Sequence, residues 1–134
     1  MKDYKFLMMQ AIEARKKSYS PYSHFCVGAA LLTKSGKVYL GCNIENAAYT
    51  PTNCAERTAI FKAVSEGERE FEAMAIVGGR ANEKGGFCAP CGVCRQVIAE
   101  FCDKDFKIVL GDGEKQEVYT LDCLLPLSFT KANL

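Results

Sequence analysis

An α/β fold with a single mixed five-stranded sheet flanked by helices is the architecture this sequence predicts, and three observations predict it. Apolar residues recur at helical spacing in three segments, near 4–17, 54–66 and 91–101. Short apolar, partly β-branched runs fall at 26–33, 37–42, 73–77, 108–110 and 118–121. Turn residues separate them, chiefly Lys34-Ser35-Gly36, Gly67, Gly78-Gly79 and Gly111-Asp112-Gly113.

In the first helix Tyr4, Leu7, Met8, Ala11 and Ile12 share one face, and Glu13, Arg15 and Lys16 are left for water. Pro21 and the serines around it then force a loop. The next two runs read as a β-hairpin closed by Asn43. A second helix carries Ala55, Ala59, Ile60, Ala63 and Val64 as its stripe and stops at Gly67. After the 73–77 strand, Pro90 introduces a third helix with Val93, Val97, Ile98 and Phe101 on one side. Two last strands complete one mixed sheet, with no repeat or linker to divide the chain.

Composition narrows the function. A chain of 134 residues with 17 basic and 16 acidic side chains projects no large field, so a small or neutral ligand is favoured over nucleic acid. No run is long enough to span a bilayer. The opening Met1-Lys2-Asp3-Tyr4-Lys5 mixes charges and lacks the apolar core of a signal peptide, which sets a cytoplasmic expectation. In that compartment eight cysteines read as thiols or metal ligands rather than a disulfide framework.

Two segments concentrate reactive side chains, Cys54-Ala55-Glu56 and Pro90-Cys91-Gly92-Val93-Cys94, and each opens a predicted helix. Cysteines three apart in a first helical turn point at one centre, and Cys54 from another helix start supplies a third corner of a tetrahedron. Three protein ligands with the fourth position left to water is the arrangement of a catalytic zinc, one Zn2+ per chain, whereas a structural zinc takes all four ligands from protein. Three thiolates weaken zinc as a Lewis acid. Both helix N-termini, and Arg57 beside Glu56, offset that charge. Glu56, two residues beyond a ligand, is placed to move protons at the water position without binding the metal.

Cys88-Ala89-Pro90-Cys91 is itself a C-x-x-C, but Pro90 bends the chain between its cysteines, while Cys91 and Cys94 share a helix start. Cys26, Cys42, Cys102 and Cys123 lie in or beside apolar runs and read as small core hydrophobes. His24, the single histidine, reads as a loop residue and not a ligand.

Cys-Ala-Glu followed by Pro-Cys-x-x-Cys matches the three-cysteine form of the zinc deaminase signature, and the chain resembles the small cytidine deaminases. The likeness runs from Ser20-Pro21-Tyr22-Ser23-His24-Phe25 through Gly41-Cys42-Asn43-Ile44-Glu45-Asn46 to Cys91-Gly92-Val93-Cys94-Arg95-Gln96. This resemblance implies one three-layer helix-sheet-helix domain over 1–134, assembled as a homotetramer with sites shared across subunits. It implies the hydrolysis of cytidine and deoxycytidine to uridine and deoxyuridine, with release of ammonia, by water activated at zinc, in pyrimidine salvage. By the same resemblance Asn43 and Glu45 hydrogen-bond the sugar hydroxyls and Phe25 packs on the nucleoside. The Ala55 backbone and the Glu56 side chain read the base edge, and Tyr49 and Phe129 reach a neighbouring subunit's site. An amide and a carboxylate two residues apart at a strand's end do point the same way and suit hydroxyls. Without the resemblance, Asn43 reads as a turn residue, Tyr49 as a loop tyrosine and Phe129 as a tail aromatic over the core.

Three rivals stand beside this reading. A blasticidin-S-type deaminase shares the zinc motif, but Asn43-Ile44-Glu45-Asn46-Ala47 resembles the sugar-reading segment of nucleoside deaminases. A non-catalytic zinc-binding module needs a fourth protein ligand, since Cys54 lacks a partner cysteine of its own. A redox C-x-x-C predicts reversible disulfide chemistry and little zinc.

Overall fold

The computed structural model describes residues 3–134, so Met1 and Lys2, the start of the mixed-charge N-terminus, lie outside the described residues. Helix α1, Lys5–Arg15, buries Leu7, Met8, Ala11 and Ala14. Lys16 and Lys17 turn out of it, two residues before the apolar pattern would end it. Strands β1, Phe25–Thr33, and β2, Val38–Cys42, form the expected hairpin. Helix α2, Ala55–Ser65, follows a loop, and β3, Phe71–Arg80, follows α2. Helix α3, Gly92–Phe101, then links β3 to β4, Lys107–Gly111. The chain ends with β5, Gln116–Thr120, a short helix α4, Leu121–Leu124, and a 3-10 turn over Lys131–Asn133.

The sheet order is β2-β1-β3-β4-β5. Among the five strands described, β3 and β4 alone pair in parallel, and that pairing needs a crossover, which α3 provides. Side-chain alternation sends β1 residues Ala29 and Leu31 to one face and Ala30 and Leu32 to the other. The first face, with Met74, Ile76, Ile108 and Leu110, packs under Ile60 of α2 and Ile98 of α3. The second, with Ala75, Val77 and Val109, packs under Leu7, Met8 and Ala11 of α1. Helix, sheet and helices thus make three layers, as the resemblance implies.

Two strand boundaries differ from the sequence pattern for physical reasons. Gly78 and Gly79 read as a stop, yet both continue β3, paired with Val27 and Cys26. Leu121, expected to end the last strand, instead opens α4, because the Thr120 side chain accepts from the Cys123 N–H and caps a helix there. Gly41 brings β2 against α2: a Cβ on it would lie 2.4 Å from the Ala55 carbonyl oxygen. That close approach fixes the start of α2. No helix among the described residues is long and apolar enough to cross a membrane.

Candidate metal centre and active site

Cys54 is the N-cap of α2 and Cys91 the N-cap of α3, both in extended backbone. Cys94 lies in the first turn of α3, fully buried, and its N–H donates to Cys91 Sγ at 3.4 Å. The three Sγ atoms lie within 4.8 Å of one another, and Cys54 Sγ is 3.9 Å from Cys91 Sγ. Sulfurs on a tetrahedral zinc, each about 2.3 Å from the metal, sit roughly 3.8 Å apart. The donor set therefore fits zinc, a soft thiolate trio at two helix N-termini. Cys88 is not part of this cluster.

Arg57 supplies positive charge to the sulfurs. Its Nη2 donates to Cys54 Sγ at 3.1 Å, and it also interacts with Cys94. Its Nε is buried without a partner among the described residues, a cost that the negative charge beside it offsets. Hydrogen bonding from Cys94, joined by Arg57, holds the Cys54 thiol down at about 5. Cys94 moves the opposite way, upward, because it is the donor in that bond and is buried.

Glu56 is 4% exposed in the first turn of α2. Burial pushes its carboxyl up to about 7; its own backbone N–H and Arg57 pull it down, and the charge on Cys54 adds to the rise. A buried carboxyl poised near neutrality beside a metal site is the form a proton carrier takes. Ala55, which begins α2, is fully buried.

A second region opens beside the loop that follows β2. A cavity of about 390 Å³ is lined by Tyr22, Ser23, Glu45, Tyr49 and Thr52. Glu45 Oε1 accepts from the N–H groups of Tyr22 (2.9 Å) and Ser23 (3.2 Å), and Oε2 accepts from the Ser23 hydroxyl. Those bonds, the hydroxyl first, hold its carboxyl below the usual range. Tyr49 is 71% exposed at φ +64° and meets the Tyr22 ring edge-on at 6.2 Å.

The Asn43 amide is largely engaged by backbone. Its Oδ1 accepts from the Val27 N–H (2.9 Å) and the Ser18 hydroxyl (2.5 Å), while Nδ2 donates to the Phe25 carbonyl (2.8 Å). One Nδ2 hydrogen is left for another acceptor. Phe25 opens β1 with its ring partly exposed, and Phe129 lies apart from the cavity lining, its carbonyl accepting from Gln96 Nε2 at 2.8 Å. His24 stands at φ +57° in the loop before β1, outside the sulfur cluster.

One contributor has no signal in the sequence. Arg95 donates through Nε to the Pro90 carbonyl (2.8 Å) and through Nη1 to the Leu124 carbonyl (2.7 Å), anchoring the turn that presents Cys91. Its acceptors are backbone oxygens, which leave no trace in side-chain spacing.

Comparison with known proteins agrees with this geometry. Residues 1–110 match the family described as the cytidine and deoxycytidylate deaminase zinc-binding region. A cytidine deaminase of Sporosarcina psychrophila is 50% identical over 98% of this chain and 95% of its own length. One of Halalkalibacterium halodurans is 51% identical over 98% of each. The crystal structure of a cytidine deaminase from Burkholderia pseudomallei superposes with a TM-score of 0.86 at 46% identity, covering 96% of this chain and all of that one. A blasticidin-S deaminase of Bacillus cereus matches more weakly, 31% identical over 78% of this chain and 77% of its own.

Proposed function

This chain belongs to the family of cytidine and deoxycytidylate deaminases, and on that premise we propose that it hydrolyses cytidine and deoxycytidine to uridine and deoxyuridine. The observation that carries the reading is the nearly buried Glu56 carboxyl, two residues beyond one member of a three-sulfur cluster. Zinc held by Cys54, Cys91 and Cys94 supplies Lewis acidity that makes water nucleophilic at neutral pH.

The chain's own residues do the rest. Water adds at carbon 4 of the pyrimidine while Glu56 takes a proton from it and delivers one to ring nitrogen 3. Glu56 then carries the second water proton to the exocyclic amine, the C4–N4 bond breaks, and ammonia leaves. Water and cytidine are thus converted to uridine and ammonia, and the carboxyl returns to its starting state. The Ala55 backbone orients the base edge, and Arg57 keeps charge on the sulfurs balanced. Phe25 packs on the ring.

Glu45 and the free Nδ2 hydrogen of Asn43 offer an acceptor and a donor to sugar hydroxyls. Among the described residues the cavity lining holds a carboxylate and no Lys or Arg, which favours a neutral nucleoside over a phosphorylated one. Tyr49 and Phe129, both largely exposed, are read as reaching a neighbouring copy's site in a homotetramer. The exposed apolar side chains of Phe61, Val93, Leu127 and Phe129 support such an assembly. Eight free thiols suit the reducing cytoplasm, where we place the reaction in pyrimidine salvage, with the whole chain acting as one deaminase domain.

The test is ultraviolet absorbance with ammonia assayed in parallel, on zinc-loaded protein given cytidine, deoxycytidine, deoxycytidylate or blasticidin S. One ammonia per nucleoside consumed is expected, with the nucleotide on the order of ten-fold slower or worse. Turnover of blasticidin S alone, or of nothing by fully zinc-loaded protein, overturns the proposal.

A further inference from the structure

Arg15, the last residue of α1, lies on the face of the sheet opposite the sulfur cluster, yet it grips the backbone behind the substrate side. Its Nε donates to the Cys26 carbonyl at 2.9 Å. The Nη2 hydrogens are shared among the carbonyls of Gly79 (2.9 Å), Arg80 (2.7 Å) and Glu83 (3.1 Å). These partners are four backbone oxygens from three segments, a bracket rather than an ion pair.

The three segments converge on one wall. Cys26 follows Phe25 at the start of β1, and Gly79 and Arg80 end β3 in register with Cys26 and Phe25. Glu83 lies in the return loop, which rejoins β3 where Gly78 and Gly86 exchange hydrogen bonds of 3.1 and 2.8 Å. Two residues later comes Cys88. A Cβ on Gly78 would meet Cys88 Sγ at 2.8 Å and Phe25 Cε2 at 3.1 Å, so Phe25 and Cys88 close over the same point of β3. The guanidinium borders space that a side chain on Gly85 would enter, since a Cβ there would lie 2.9 Å from Val77 Cγ2 and 3.2 Å from Arg15 Nε. The turn presenting Cys91 has its own anchor in Arg95.

We propose that Arg15 is a positioning residue for substrate binding: it holds the Phe25–Cys88 wall from behind the sheet and leaves the metal turn to Arg95. This rests on the reading of Phe25 as the side chain that packs on the nucleoside.

Steady-state kinetics, zinc content and amide hydrogen exchange of Arg15→Gln, Arg15→Lys and Gly85→Ala test it. In Arg15→Gln the KM for cytidine should rise on the order of ten-fold while kcat stays within about two-fold and zinc content is unchanged. Arg15→Lys should recover part of the loss, because an ammonium reaches fewer of the four carbonyls. Gly85→Ala keeps the guanidinium but crowds it together with Val77, so a KM rise in the same direction is expected there even if Arg15→Gln fails to fold. Exchange should quicken at 24–27 and 78–88 while 92–101 stays protected. An unchanged KM in folded, zinc-loaded variants, or exchange raised evenly along the chain, overturns the proposal. If the unsubstituted protein turns over no nucleoside, the functional reading fails by itself, and the exchange pattern still decides whether the bracket exists.

Discussion

At the sulfur cluster, Cys54 and Cys91 take their directions from helix caps and Cys94 from a first helical turn, all within four residues of a helix start. The recognition side is assembled differently: in the cavity wall Glu45 is aimed by N–H groups more than twenty residues away and Tyr49 stands at positive φ, while Phe25, outside that lining, depends on strand ends. Burial follows this division only in part: Cys94 and Glu56 are 0% and 4% exposed and Cys54 is half-buried, but Cys91 is exposed, as is Tyr49 at 71%. The proposed chemistry is therefore built into local backbone geometry, and the proposed recognition into tertiary contacts. Damage to the first should stop turnover, and damage to the second should weaken binding.

The largest break in that contrast is removal of a ligand. Cys94→Ala should lose zinc and lower activity by more than about 10³-fold, read by metal analysis and ammonia release. Retained zinc with retained turnover would show that the cluster is not the metal site. Arg57→Gln comes next, because it removes the donor to Cys54 while sparing every ligand. Zinc affinity should drop about 10- to 100-fold in a chelator competition, with the KM for cytidine little changed. The smallest effect is expected from Gly41→Ala, whose added methyl meets the backbone at the start of α2. Overpacking there should cost about 1–3 kcal/mol in urea unfolding. It should also lower kcat more than it raises KM, since the displaced helix carries Glu56.

Legibility in the sequence follows the same line. Helix stripes, the hairpin and the C-A-E and P-C-x-x-C segments are patterns confined to a few residues, and the structure places them as the spacing implies except at Val93, which is exposed while Cys94, Ile98 and Ala99 form the buried side of α3. Gly78 and Gly79 misled the strand boundary because glycine signals a turn locally, while here the room beside Gly78 is taken by Cys88 and Phe25. Leu121 was assigned by its apolar character, and the Thr120 cap decided otherwise. Arg15 reads from its helical position as a water-facing side chain, yet it is half-buried on backbone carbonyls, and Arg95 carries no signal of its anchoring role. Their acceptors are carbonyls, and for Arg15 three of the four lie more than sixty residues distant. Asn43 was legible as the residue closing β2, but its grip on Val27 and Phe25 needed coordinates.

The division between chemistry and recognition is tested most directly by the kinetics of Glu56→Gln and Glu45→Gln side by side, each with zinc content verified. Glu56→Gln should lose about 10²- to 10⁴-fold in kcat with KM near that of the unsubstituted protein. Glu45→Gln should raise KM roughly ten-fold while keeping most of kcat, since an amide accepts from Tyr22 and Ser23 more weakly than a carboxylate. A Glu56→Gln enzyme with full kcat, or two variants that fail in the same way, would contradict the account.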